Sequence, residues 1–343
     1  MDTNLAVEKG KAAKATVQQP SLLRRLLQRP ETSIILVLLV LGAVLSQSSS
    51  AFLTSDNIFN ILRNNADIAI AALGVTLVIL AGGIDLSIGS TMAFSGLVAA
   101  MAVSLGGTTA YQLPSFGLPP AVAFALGVLA GATVGLINGL LVVRLRLVPF
   151  IATLGMLGVV RGIVVGLTSG QTVRNFPIEF VALGQGYIGP VPTPVVFLVI
   201  LAIIVALFLS YHVWGTYIYA IGGNETSALL TGLPVDRVKL LTYVLSGALA
   251  GVGGVLVVAR LGVSAPTQAL GYELFVIASA VIGGVSLSGG RGTVLGAVLG
   301  AVLIGVLNNA LVLLRVESYW QQAFTGGIIL LSALIDRLRQ RRS

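Results

Sequence analysis

Apolar residues run along this chain in blocks of about twenty, the length at which a helix crosses a bilayer core. The blocks stand near 33–50, 66–83, 89–105, 120–143, 149–168, 193–212, 238–258, 272–287, 293–314 and 319–336, about ten in all. Polar or Pro/Gly-rich stretches separate them. Two of these, GGTTAYQLPSFGLPP (106–120) and SGQTVRNFPIEFVALGQGYIGPVPTP (169–194), read as loops. The pattern predicts an all-α fold, a polytopic transmembrane helical bundle. Residues 34–45 are as apolar as the core of a secretion signal. The basic lead of about thirty residues is long for one, and further spans follow, so the first block reads as an uncleaved span.

One block is interrupted. In LVILAGGIDLSIGS (77–90), Gly82 and Gly83 precede Asp85, and Ser87 follows it. Each glycine lowers helix propensity by about 1 kcal/mol. Non-helical backbone at membrane depth is tolerated only where protein covers it or water reaches it. The stretch therefore reads as a break between two helices, with Asp85 and Ser87 able to cap the second by accepting its free N–H groups. Direct contact of Asp85 with a solute or a proton is the other reading. A related stretch lies two hundred residues on. AGGIDLSIGS (81–90) aligns with IGGVSLSGGR (282–291), matching at Gly82/Gly283, Gly83/Gly284, Leu86/Leu287, Ser87/Ser288 and Gly89/Gly290. Gly283, Gly284, Ser286, Gly289 and Gly290 then mark a second break. Duplicated transporter halves often carry such interrupted segments along the solute path. The span count gives both segments the same direction, whereas an inverted repeat requires opposite ones.

Composition agrees with the membrane reading. Of 343 residues, 56% are hydrophobic and 9% charged, against about 25% charged in soluble domains; mean hydropathy is +1.00. The net charge of +8 is a matter of placement. If the amino terminus faces the cytoplasm, segments 1–32, 144–148, 213–237, 288–292 and 337–343 face it too. They hold fourteen of the twenty Lys and Arg residues, the bias expected of cytoplasmic loops. The carboxy terminus is then cytoplasmic as well. No basic and aromatic side chains cluster on a wettable face, so nucleic acid is not an expected partner. Cysteine is absent, and His212 is the single histidine, without a partner at ligand spacing; a metal site is not expected. No lysine stands in a G-K-[ST] phosphate loop, and no catalytic triad spacing is present.

Other polar residues fall at membrane depth: Asn138, Asn308, Asn309, Arg161 and Glu273, with Asn64, Asn65 and Asp67 at the start of the second span. Amides at such depth hold helices together or line a path for a hydroxylated solute, since they both donate and accept. Arg161 and Glu273 have opposite charge. Glycines at small-xxx-small spacing in 127–135, 247–256 and 296–305 read as close helix packing. The internal stretch 213–237 differs in kind. Asn224 begins a short helix and TGLP ends it, a shape suited to a groove on a soluble partner or to the headgroup surface.

Together, GGIDLS (82–87), PFIATLG (149–155), AIGGNE with ALLTGL (220–233), IASAVIGGVSLSGGRG ending at Gly292, and LNN (307–309) resemble the inner-membrane permease subunits of ribose-type sugar ABC importers. The likeness covers about Asn57 to Asp336. Ser227, Leu229 and Thr231 depart from residues frequent in the short-helix loop, and Phe275 and Ser279 from a usually Ala-rich stretch. The residues themselves divide the chain into a cytoplasmic tail (1–32), expected to be disordered because its first twenty residues are small and polar, a transmembrane permease domain (33–336) and a basic cytoplasmic carboxy terminus (337–343). The resemblance implies a second permease copy, identical or a sister chain. It also implies a separate cytoplasmic ATPase that binds ATP and magnesium, with no cofactor on this chain, and a periplasmic or lipid-anchored sugar-binding protein. Gly223, Asn224, Glu225, Ala228, Thr231 and Gly232 would form the ATPase coupling loop. The implied function is import of a monosaccharide across the bacterial inner membrane. Three rivals stand beside it: a related permease for nucleosides or branched-chain amino acids, a proton-coupled transporter using Asp85 or Glu273, and an intramembrane enzyme, for which no nucleophile–base pair is apparent.

Overall fold

A computed structural model describes residues 30–106 and 114–317, with Trp320, Ala323, Gly326 and Gly327. The amino-terminal tail up to residue 29, nearly all of the block 319–336 and the basic segment 337–343 lie outside the described residues. The helices are α1 (Pro30–Ser48), α2 (Ser55–Leu80), α3 (Ile88–Val103), α4 (Pro120–Val143), α5 (Pro149–Thr168), α6 (Ile178–Gln185), α7 (Thr193–Tyr211), α8 (Val213–Gly223), α9 (Glu225–Leu230), α10 (Val235–Leu261), α11 (Tyr272–Ile282) and α12 (Val294–Leu313). Before α7, the two-residue strands β1 (Tyr187–Ile188) and β2 (Val191–Pro192) pair antiparallel, Tyr187 opposite Pro192.

Among the described residues, seven helices, α1, α2, α4, α5, α7, α10 and α12, are long and apolar enough to cross a membrane. The expected spans at 89–105 and 272–287 correspond to α3 and α11, of 16 and 11 residues. At 1.5 Å per residue these reach about 24 and 17 Å, short of a core of about 30 Å. Each stands next to an irregular segment, 81–87 before α3 and 283–293 after α11. The second span differs from expectation in the other direction, beginning at Ser55 rather than near residue 66. Thr54 caps it by accepting from Asn57 N at 3.4 Å. Its polar residues lower local hydropathy without ending the helix, because Asn57, Asn65 and Asp67 find partners on α10 and α12.

Helices α2 and α10 form the centre, burying 83% and 78% of their most apolar stretches, against 11%, 22% and 28% for α1, α5 and α7. The outer three present Leu39, Ile151 and Ile204 outward, as chains solvated by lipid do. Because lipid is as apolar as leucine, helices in a bilayer associate through close packing. Accordingly α4 and α10 meet backbone to backbone, a Cβ at Gly131 overlapping the Gly247 carbonyl.

Contacts between distant residues set the directions. Asn57 pairs with Asn309 and Asn65 with Ala301, so α2 and α12 are antiparallel. Gly283 meets Gly296 and Gly300 meets Ser279, so α11 and α12 are antiparallel too. It follows that α2 and α11 run the same way, and the two breaks that follow them lie at the same end of the bundle as α8 and α9. An inverted pair would run oppositely.

Candidate functional site

Helix α2 ends in a Schellman turn. Gly82 adopts φ +78°, its N–H donates to Ile79 O at 2.9 Å, and Gly83 N donates to Val78 O at 2.8 Å. This left-handed position after a helix is where glycine is preferred. Non-helical backbone, bent at Leu86, then leads to the start of α3 at Ile88. The Ile84 carbonyl, left without a helical donor, accepts from Tyr243 Oη at 3.2 Å and Thr153 Oγ1 at 3.4 Å.

Asp85 is almost fully buried. Its Oδ1 accepts from Ser87 N at 3.0 Å and Ser87 Oγ at 2.7 Å, and Oδ2 accepts from Ser246 Oγ at 3.5 Å. Capping differs in detail from the sequence expectation. Asp85 closes a local turn onto Ser87, and the Ser87 side chain accepts no backbone N–H. Instead Ser87 Oγ is engaged from both sides, donating to Asp85 and accepting from Asn138 Nδ2 at 2.7 Å. Asn138 Oδ1 has no partner among the described residues. From α11, the Glu273 carboxylate lies against Gly89 in the first turn of α3, where the helix dipole favours an anion. Thus α4, α10 and α11 close on the start of the short helix α3 inside the bundle.

The amides separate into different environments. Asn65 Nδ2 donates to Ala301 O at 3.2 Å, and Asn57 and Asn309 exchange hydrogen bonds of 3.1 and 2.8 Å across α2 and α12. Asn308 is half-buried and Asn64 exposed. Asn64 Oδ1 accepts from Arg260 at 3.3 Å, and the same guanidinium pairs with Asp67 at 2.9 Å. The Asp67 side chain is only 2% exposed, and its Oδ1 is without a partner among the described residues. Arg161 donates to the carbonyls of Pro266 and Gln268 at 2.9 and 2.8 Å and makes no ion pair with Glu273 among the described residues. His212 caps α8, accepting from Trp214 N at 3.2 Å.

Sequence reasoning missed Tyr243, Thr153, Ser246 and Arg260. A tyrosine within an apolar span was the available signal, since a buried phenol needs a partner. Nothing local marks Arg260, which meets Asp67 across 193 residues.

The second break begins with the same Schellman turn, displaced by one residue from the sequence alignment. Gly284 (φ +86°) donates to Val281 O at 2.9 Å and Val285 N to Ala280 O at 3.0 Å. The structural counterpart of Gly82 is therefore Gly284, not Gly283. The turn beyond it packs on α8, and Gly290 N donates to Leu80 O at 3.0 Å. Helix α9 starts and stops where its sequence signals stand. Asn224 Oδ1 accepts from Ser227 N at 2.9 Å, and Gly232 takes φ +82° after Thr231. Ala228 is buried, Leu229 and Leu230 are 63% and 83% exposed, and Glu225 pairs with Lys239 at 2.6 Å. No group of His, Asp and Glu among the described residues is placed to hold a metal ion.

A short central helix, buried polar residues and apolar outward faces are those of a polytopic helical membrane protein. The family model for the branched-chain amino acid transport system / permease component matches residues 57–333, and the chain belongs to that family. It is 40% identical over 315 residues to the ribose import permease protein RbsC of Escherichia coli (strain K12), covering 90% of this chain and 94% of that one. To RbsC of Bacillus subtilis (strain 168) it is 41% identical over 88% of this chain and 90% of that one. To the L-arabinose ABC transporter permease protein AraH of Azospirillum brasilense it is 37% identical over 91% and 89%. No solved structure matches the chain.

Proposed function

We propose that this chain is the membrane-spanning permease subunit of an ABC importer for a monosaccharide of the ribose or arabinose kind. What carries the reading is likeness along nearly the full length of sugar permeases. The family description names branched-chain amino acids, but the relatives named above carry ribose and L-arabinose in their names, which favours a sugar over an amino acid or nucleoside. Proton coupling is disfavoured by the setting of Asp85, which is walled in by Ser87 and Ser246.

In this reading ATP and magnesium bind a partner ATPase on the cytoplasmic side, where α9 docks through Leu229 and Leu230. A binding protein delivers sugar at the opposite end, and a second permease copy completes the path. Both termini face the cytoplasm, in the bacterial inner membrane. Asn64, beside the Asp67–Arg260 pair, lines the outer half of the path, since intramembrane charges face a bundle interior or a water-filled cavity. Asn308 is its weaker counterpart on α12. Asn65, Asn138 and Asn309 serve chiefly as ties between helices. Gly82, Gly83, Asp85, Ser87, Gly283, Gly284, Ser286, Gly289 and Gly290 shape the two breaks.

The test is uptake of labelled ribose, arabinose and allose into proteoliposomes containing this chain, its ATPase and its binding protein. Each component is omitted in turn, with and without an uncoupler. Uptake that needs ATP and every component and ignores the uncoupler is expected. Uptake by this chain alone, abolished by the uncoupler, would overturn the reading.

A further inference from the structure

We propose that the turn 286–292 is a backbone joint that carries motion of α8 and α9 into both breaks at once, and that Gly222 is its positioning residue. The inference rests on the importer reading above. Helix α8 ends directly on the hydrogen bond that links the breaks. A Cβ at Gly222 would overlap both Leu80 O and Gly290 N, the acceptor and donor of the 3.0 Å bond between the end of α2 and the second break. From the other side, a Cβ at Gly290 would stand 2.6 Å from Gly223 N. One turn earlier on α8, Tyr219 Oη donates to Gly292 O at 3.0 Å. The turn is closed on itself, Ser286 N donating to Arg291 O at 2.8 Å and Gly289 N to Ser286 O at 2.9 Å. Just beyond it Thr293 donates to Glu31 Oε1 at 2.7 Å, which ties the start of α1 to the same place.

The absence of side chains at this contact is mechanically important. Side chains in contact yield by changing rotamer, whereas abutting peptide planes have no such slack and pass displacement on. A load on the exposed face of α9 reaches α8 through the single residue Asn224, and α8 bears on Leu80 and Gly290 together. Leu80 leads through Gly82 to Asp85 and α3, and Gly290 leads to α11 and α12. One displacement at the docking helix therefore moves both broken elements in step.

The test uses the whole complex in proteoliposomes, reading ribose taken up per ATP hydrolysed. Gly222→Ala is expected to lower that ratio about tenfold, within the usual range for coupling between sites, while the complex still co-purifies. Tyr219→Phe, which adds no volume, is expected to lower it about threefold, as for the loss of one hydrogen bond. Because the chain has no cysteine, spin labels at Thr226→Cys and Ser288→Cys report the joint directly. Their separation should be the same with and without ATP, and should become nucleotide-dependent with Gly222→Ala. A separation that changes with nucleotide in the otherwise unsubstituted chain would overturn the joint, as would Gly222→Ala at the full coupling ratio. If Gly222→Ala does not assemble, Tyr219→Phe and the label pair decide. Absence of ATP-dependent uptake by the unsubstituted complex sinks the importer reading itself; intact uptake with a failed label test sinks the joint alone.

Discussion

The two breaks begin alike and are built differently. Both follow a helix that ends in a Schellman turn with glycine in the left-handed position, Gly82 in one and Gly284 in the other. Beyond that point the first break is held by side chains. Asp85, Ser87, Asn138 and Ser246 form a buried chain of hydrogen bonds, and Tyr243 and Thr153 satisfy Ile84 O. The second is held by backbone, with Gly289 and Gly290 pressed on Gly222 and Gly223. A polar side-chain network fixes one geometry and resists change, since an unmet buried group is costly. A glycine contact sets peptide plane directly against peptide plane, so the second break follows the displacement of α8. The first break thus anchors α3 in the centre of the bundle, while the second rides on α8.

Substitutions should expose that difference. The largest effect is expected from Asp85→Ala, which strands the Ser87 N–H and hydroxyl and loosens Ser246. A loss of about 2–4 kcal/mol of stability, read as a lowered unfolding midpoint of the solubilised protein, is expected. Asp85→Asn keeps an acceptor for Ser87 and should recover at least half of that loss with ATP-dependent uptake retained. Stable Asp85→Asn protein without uptake would instead mark a carboxylate needed for transport.

Next come two glycines that align in sequence but not in structure. Gly283 has ordinary helical φ, and its Cβ would run into the Gly296 carbonyl. Gly283→Ala should cost about 1–3 kcal/mol by overpacking, with Asn no better than Ala. Gly82 has open space but φ +78°, so Gly82→Ala should cost about 1–2 kcal/mol and Gly82→Asn clearly less. Unfolding midpoints of the four variants check this, and Asn rescue at Gly283 would count against the assigned register.

A smaller change is expected from Asn138→Ala. It removes one hydrogen bond to Ser87 but also an oxygen that has no partner among the described residues, so about 1 kcal/mol or less should be lost in the same assay. The smallest should come from Glu225→Gln. Its carboxylate is 53% exposed in the pair with Lys239, and the loss should stay under about 0.5 kcal/mol and vanish at high salt.

The same contrast shows how far the sequence could be read. The membrane class, the rough places of most of the long apolar helices, the ends of α2 and α11 near their glycine pairs and the start of α9 at Asn224 were legible. Each follows from a local property: apolar block length, helix-breaking glycine, or an amide three residues before the N–H it caps. The one-residue offset between the breaks was not legible. The repeated residues invite pairing Gly82 with Gly283, and only backbone angles reveal that Gly284 holds the equivalent position. The early start of α2 was hidden as well, because the polar residues of 55–65, Asn57 and Asn65 among them, lower its hydropathy until their partners are placed.

By itself, then, the sequence determined what kind of solvent this protein lives in and where glycines interrupt its helices, since hydropathy and backbone propensity act over a few residues at a time. Tertiary structure alone decided what the polar residues are for. Asp67 meets Arg260, Asn138 meets Ser87, and Gly222 meets Leu80 and Gly290. In each case the partners are far apart in the chain, and in a bilayer a polar group's role is set by the neighbour that replaces water.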